Sequence, residues 1–402
     1  MKVLVCPRPP GGGGGGRASA VDLACAMRGY GHRPVVYAPP GALAEVARDA
    51  GLDWVAAPAP DDPRPSWSRR LARVVREVRP DMLHVYGWQP GLRTTLGCFG
   101  NLPALVSLSP TDVPSLVPPR LPVVVGTPEL HRRMTARGHR THLVEPPVDL
   151  ELHRPGGYVG TAAARKRWEV PGGALAIVVV AGLTPELERL QAVLEAIRVA
   201  DRMAATRPVR LLIAGDGEGR GTVERRAAAV NAHHGWTVVQ PVDVPPDSAS
   251  IYEAADIVIG MGSSALRGLA HAKPLVVHGE GGFWRLVDED SVAGFVTRGW
   301  FGRQGAGVRD LAGALEALAG SESLRRRLGD LGRELVQRRY GLDRAAEQLA
   351  AAYVDTALDR RVHGSEVRSR ARTVVVDARY YAVREFGSAV ARERWARGEV
   401  MA

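Results

Sequence analysis

The chain is expected to fold as an α/β protein built from two doubly wound halves. Three observations predict this. Short apolar runs alternate with helix-period segments; the alternation stops once, in a stretch rich in Pro and Gly, and then begins again. The third is a Gly- and Ser-rich turn, Gly260 to Ser264, between the apolar run Ile257–Ile259 and a small-residue helix.

In the first half, Met1–Cys6 reads as a buried strand, followed by a glycine run from Gly11 to Gly16 and a helix from Ala18 to Tyr30 that Gly31 closes. Pro34–Ala38 is the next strand, Ala42–Ala50 a helix, Trp54–Ala57 a short strand and Trp67–Val78 an Arg-studded helix. Met82–Val85, Ala104–Leu108 and Val123–Val125 supply further strands. Periodicity stops between Glu145 and Gly157, where Pro and Gly cluster. The pattern resumes with strand Ala176–Ala181, helix Glu186–Met203 and strand Val209–Ala214, which ends in Gly215-Asp216-Gly217. Trp236–Gln240, Ile257–Ile259 and Leu275–Val277 follow as strands, with helices near Leu311–Leu318 and Ala345–Leu358. The expected division is 1–153, 154–345, and a closing segment 346–402 that crosses back to the first half.

Composition limits the function classes. The chain has 402 residues, enough for two cores, and its 45% hydrophobic content and mean hydropathy of -0.10 describe a globular protein. No window reaches the ~18–20 uninterrupted apolar residues of a membrane span. The start lacks a signal peptide's apolar region, and Cys6, Cys25 and Cys98 have no metal-ligand spacing, so a cytoplasmic setting is expected. The formal charge of +10 is almost all Arg, with Lys only at Lys2, Lys166 and Lys273, and half of it falls after residue 359. That distribution argues against a nucleic-acid surface. The basic tail, with Tyr380, Tyr381, Phe386 and Trp395, reads as a packing helix or as a peripheral contact with an anionic membrane face.

Two turns suit an anion. Backbone N–H groups of Gly262, Ser263 and Ser264 would gather at a helix N-terminus, where the dipole favours phosphate. A second turn, Gly279-Glu280-Gly281-Gly282, follows the strand Leu275–Val277. The glycine run matches a dinucleotide fingerprint only trivially: the second strand ends Tyr37-Ala38-Pro39 without the ribose-binding acid. The Walker pattern fails as well, because Arg17-Ala18 stands where Lys-Ser/Thr is required. Asp288-Glu289-Asp290 lies away from a strand end and His84, His271 and His278 are scattered, so no metal or other cofactor is expected.

Taken in order, the motifs resemble the GT-B glycosyltransferases, in particular the large retaining family 4. Gly14-Gly15 with Arg28–His32 resemble that family's first β-α-β unit, and Arg79-Pro80-Asp81-Met82-Leu83-His84 its "kPDvvH" strand. Pro146–Pro155 is similar to its linker, Leu212–Gly217 to its "ivGdG" strand, and Ala255–Val258 with Gly260–Pro274 to its donor-site block. The resemblance covers nearly the whole chain. It implies a GT-B fold, a nucleotide-diphosphate sugar donor in the second half, an acceptor in the first half, and transfer with retention without a metal.

The departures fall on the family's charged positions. Ile259 and Arg267 replace the two carboxylates of the donor block, Ser109 stands where a His belongs, and Gly182 and Leu187 where an Arg and Lys pair belongs. A rebuilt clamp is expected from Arg267, Arg189, Arg17 and Lys273 on the diphosphate, with Glu280 taking a sugar or ribose hydroxyl. The backbone of Gly14, Gly15, Gly215, Gly262, Gly281 and Gly282, with Ser263 and Ser264, completes the expected donor set. Asp112 and Trp88 are the acceptor-side candidates, with Asp112, Arg267 and Glu280 in catalytic roles. The lost carboxylates motivate a rival reading, a non-catalytic GT-B protein that activates another transferase. A nucleotide-sugar 2-epimerase and a plain binding module are further alternatives.

Overall fold

The computed structural model describes residues 1–7, 15–58, 67–87, 102–108, 117, 121–157, 160–243 and 248–358. Its first sheet is parallel throughout, in the order β3-β2-β1-β4-β5-β6-β7. The strands are β1 (Lys2–Cys6), β2 (Arg33–Ala38), β3 (Asp53–Ala56), β4 (Met82–Tyr86), β5 (Ala104–Ser107), β6 (Val123–Val125) and β7 (Thr141–Leu143). Between them run α1 (Gly15–Gly29), α2 (Ala42–Asp49), α3 (Trp67–Val78) and α4 (Pro128–Ala136). Helix α1 buries Val21, Ala24 and Met27 on one face. It stops at Gly31, whose φ of 74° lets the His32 N–H reach back to the Met27 carbonyl at 3.1 Å. Helix α4 begins on Thr127, which accepts from the Leu130 N–H, with Pro128 in the first turn.

The second sheet runs β10-β9-β8-β11-β12-β13, parallel except for its last strand. Its strands are β8 (Leu175–Val180), β9 (Val209–Ala214), β10 (Val239–Val242), β11 (Ile257–Gly260), β12 (Leu275–His278) and β13 (Trp284–Leu286). Its helices are α5 (Thr161–Arg167), α6 (Arg189–Ala204), α7 (Arg220–His234), α8 (Ala249–Ala254), α9 (Ser263–Ala270), α10 (Val292–Arg298), α11 (Val308–Gly320) and α12 (Glu322–Arg339). Apolar side chains cover both faces of each sheet, as buried parallel strands require.

Local details depart from the sequence expectation. Strand β10 lies later than Trp236–Gln240 and contains Pro241, tolerated because β10 is a sheet edge. Helix α6 starts at Arg189 rather than Glu186, after a 3-10 turn in which Leu187 and Glu188 have φ of 55° and 53°. Helices α4, α5, α7, α8, α10 and α12 and strands β7 and β13 were not anticipated.

Among the described residues the chain crosses between the halves twice, and the crossings pair. Val148 donates to the Tyr340 carbonyl at 2.7 Å and accepts from Leu342 at 3.0 Å. Buried Glu145 accepts from Arg339 at 2.8 Å. After this second crossing α13 (Leu342–Leu358) lies on the first sheet, where Ala345, Ala346, Leu349, Ala352 and Tyr353 join the core of Val3, Val21 and Met27.

Candidate functional site

The C-terminal ends of parallel strands are where open α/β sheets bind ligands. At that edge of the second sheet, β11 ends in Gly260, where a Cβ would lie 2.9 Å from Ser264 Oγ. Gly262 turns the chain with φ 57° and donates to the Trp300 carbonyl at 2.7 Å. The Ser264 hydroxyl is used within the turn, accepting from the Met261 N–H at 3.2 Å and donating to the Met261 carbonyl at 2.9 Å. The N–H groups of Ser263, Ser264 and Ala265 open α9 and, by position, have no intrahelical acceptor. Arg267 stands one turn further along. It is half-buried and forms no hydrogen bond or ion pair with the described residues. A guanidinium so placed beside open amides suits a doubly charged oxyanion.

The first half supplies the opposite wall. Asp22 of α1 is half-buried and has no hydrogen bond or ion pair among the described residues. Burial raises its pKa to about 6; the field of Arg267 pulls it down and Asp149 pushes it up. Tyr86, at the end of β4, is raised by burial, with the nearby Asp22 charge adding to the effect and a bond to Ser107 opposing it. Ser107 Oγ is also bonded to His84 Nε2 at 2.8 Å, and His84 Nδ1 to the Tyr353 hydroxyl at 2.8 Å. His84 is thereby held neutral, burial lowering its pKa to about 3.

Behind Arg267 lies a second buried chain. His153 Nδ1 meets His271 Nε2 at 3.3 Å, and His271 Nδ1 meets Glu253 Oε2 at 3.1 Å. Burial works against the Glu253 carboxylate, but hydrogen bonds from His271 and Thr161 outweigh it and leave its pKa lowered. An ionised Glu253 takes the His271 Nδ1 proton, so His271 Nε2 accepts from His153 Nδ1–H and His153 keeps a free lone pair on Nε2. Burial, then Arg267, lowers the His153 pKa to about 2. Tyr252 stacks on His271 at 5.8 Å, and its buried hydroxyl has no partner among the described residues.

The other sequence candidates are dispersed. Lys273 binds the Glu253 carbonyl at 3.1 Å just before β12, at the opposite edge of the sheet from Ser263. Arg189 pairs with Glu186 at 3.4 Å and contributes to the lowered pKa of His278. Gly215 is needed for packing, since a Cβ there would meet the Ala181 carbonyl at 2.1 Å. In the second turn Gly279 donates to Phe283, Glu280 to Gly302 and Gly281 to the Glu188 carboxylate at 2.9 Å. Those amides are satisfied internally, Gly282 accepts from Gly307 at 2.9 Å, and the Glu280 carboxylate pairs with Arg303 at 3.2 Å. Gly15 begins α1, while Gly14, Trp88, Ser109, Asp112 and the side chain of Arg17 lie outside the described residues. Ile259 is a core residue, 1% exposed. Asp22, Tyr252 and the His153–His271–Glu253 chain were not singled out from sequence. The only signal for Asp22 was that α1 carries a single acid.

No family model matches the chain, and no curated protein matches it by sequence. Solved structures do. A glycosyltransferase from Rickettsia africae superposes with a TM-score of 0.69 at 14% identity, over 89% of this chain and 99% of that one. The fold is GT-B. Anabaena HepE in complex with UDP and glucose gives a TM-score of 0.67 at 14% identity, over 88% of this chain and 100% of its own. Sucrose-phosphate synthase from Thermosynechococcus elongatus gives 0.66 at 16%, over 88% and 98%. Helix α1 of the first half and helix α9 of the second approach each other closely.

Proposed function

We propose that the chain is a glycosyltransferase that moves a sugar from a nucleotide-diphosphate donor to an acceptor hydroxyl, with retention of configuration. The observation that carries this is Arg267, a half-buried cation with no ion-pair partner among the described residues, one turn beyond three open helix amides at the ligand edge of a GT-B second half. As the glycosidic bond breaks, negative charge develops on the leaving diphosphate. The Ser263, Ser264 and Ala265 amides and Arg267 are positioned to stabilise it, which needs no metal. The UDP and glucose held by the HepE neighbour support a uridine donor as the first to try. The acceptor enters from the first half, past Asp22 and Tyr86, and a cytoplasmic enzyme that touches an anionic membrane face through residues 360–402 is part of this reading.

Calorimetric titration with UDP, GDP, TDP and ADP, with and without magnesium, tests the proposal. One diphosphate should bind without metal, and Arg267→Ala should weaken it at least about tenfold, while Lys166→Ala, on exposed α5, should not. Equal, mild effects of the two substitutions would remove Arg267 from the site. A second reading, a non-catalytic partner of another transferase, is favoured by the burial of Ile259 and the pairing of Glu280 with Arg303. It is the outcome if a diphosphate binds but no sugar donor is turned over.

A further inference from the structure

We infer that Asp201, His233 and His234 form a binding site for a divalent transition ion of the zinc class, separate from the cleft. The three come from consecutive crossover helices. Asp201 lies in the last turn of α6, and His233 and His234 lie in the last turn of α7. Both helices run back to the N-terminal edge of the second sheet, so their carbonyl ends, each carrying partial negative charge, meet beside these side chains. One donor atom from each residue lies within 4.8 Å of the others. Zinc bonds of about 2.0–2.2 Å place tetrahedral donors roughly 3.4 Å apart, so a shift of about 1.5 Å closes the set. His233 is exposed and free to make it.

The rest of the site is already ordered. His234 Nε2 is 2.8 Å from Asp201 Oδ1, and the His234 side chain is only 11% exposed. The His233 ring stands edge-on to it at 4.8 Å, and Trp236 flanks the pair. Gly235 ends α7 with φ 73°, and Asn231 pins the following loop, accepting from Val238 and Val239 and donating to the Val239 carbonyl. Two imidazole nitrogens and one carboxylate suit zinc, nickel or copper rather than magnesium or calcium, and a fourth position is open to water. On binding, the ion takes the place of the hydrogen between His234 Nε2 and Asp201, and the ring stays neutral by carrying its proton on Nδ1, exchanged through solvent. The sequence placed metal chemistry aside because other histidines were scattered; the adjacent pair gains its carboxylate only from the packing of α6 on α7.

The test is calorimetric titration of chelator-treated full-length protein with zinc chloride, with thermal melts alongside. One zinc ion should bind per chain with a Kd in the range of about 1–10 μM and raise the melting temperature, while magnesium should do neither. His233→Ala, at an exposed position, should fold normally and weaken zinc binding at least about tenfold; Asp201→Asn should act likewise. Absence of zinc binding up to about 100 μM would overturn the inference, because no stabilisation would then be available at such concentrations. Undiminished one-to-one binding by His233→Ala would overturn it equally, by placing the ion elsewhere.

Discussion

Asp22 and Arg267 sit on opposite walls of the cleft, each half-buried and each without a hydrogen-bonding partner among the described residues. For the carboxyl this arrangement costs stability. Its folded pKa is raised from 3.8 to about 6, so the native state keeps a proton that the unfolded chain releases between those values. The contribution of Asp22 is fully present below about pH 4 and is lost as the pH rises through about 6. Asp22→Asn should therefore stabilise the protein by about 1–2 kcal/mol at pH 7, discounted for partial exposure, and have little effect at pH 4. Denaturant titrations at the two pH values check this; an equal effect at both would mean that Asp22 is ionised freely in the fold. Little of this was legible in the sequence. A lone acid in a helix reads as a solvated residue, and its raised pKa comes from a burial that only the folded chain creates, against the pull of Arg267 more than two hundred residues away. The His153–His271 contact was hidden for the same reason, while Arg267 was visible because it replaced an expected carboxylate within a local motif.

At the level of elements, the long apolar strands were readable, while helices such as α7 and α12 and the short strands β7 and β13 were not. Buried parallel strands such as Leu175–Val180 are continuous apolar runs, a signal that survives without an alignment. Helix α12 carries many charges, among them the Arg326–Glu322 and Arg338–Glu334 pairs, and two glycines that lower helix propensity. Those glycines are explained by packing. A Cβ on Gly329 would lie 2.1 Å from the Ala272 carbonyl, and one on Gly332 would lie 2.4 Å from Leu269. Intrinsic propensity favours Gly329→Ala by about 1 kcal/mol, but overpacking costs about 1–3 kcal/mol, toward the upper end against backbone that cannot yield. The substitution should thus lower the melting temperature, and because α9 packs on α12 it should also weaken diphosphate binding. A rise in melting temperature would show that propensity wins.

Among the described residues of the whole molecule, five buried histidines have lowered pKa values, and three of them dominate the response to acid. His84, His153 and His278 have folded pKa values lowered from 6.5 to about 3, about 2 and about 4, each chiefly by burial. A depressed folded pKa means that the unfolded state binds the proton first, so their stabilisation is complete above about pH 6.5 and is lost as the pH falls toward 4. Asp22 works in the opposite sense, but one carboxyl raised from 3.8 to about 6 is outweighed by three rings lowered from 6.5 to about 4 or below. Thermal melts from pH 8 to pH 4 should fall steadily below about pH 6.5. A flat profile would place these rings in contact with solvent. The two-sheet α/β class was legible at this scale because strand and helix alternate, stop in a Pro- and Gly-rich stretch, and start again. How α13 meets the first sheet was less so, since Tyr353 finds His84 across 269 positions.

That return of α13 has a consequence for biosynthesis. Five of its side chains finish a core whose other members, Val3, Val5 and Val21 among them, leave the ribosome more than three hundred residues earlier. A nascent chain paused after Tyr340 would hold every strand of the second sheet, yet its first sheet would still expose an apolar face. The half made first is completed last, so vectorial synthesis leaves the older half in need of protection until residue 358 is free.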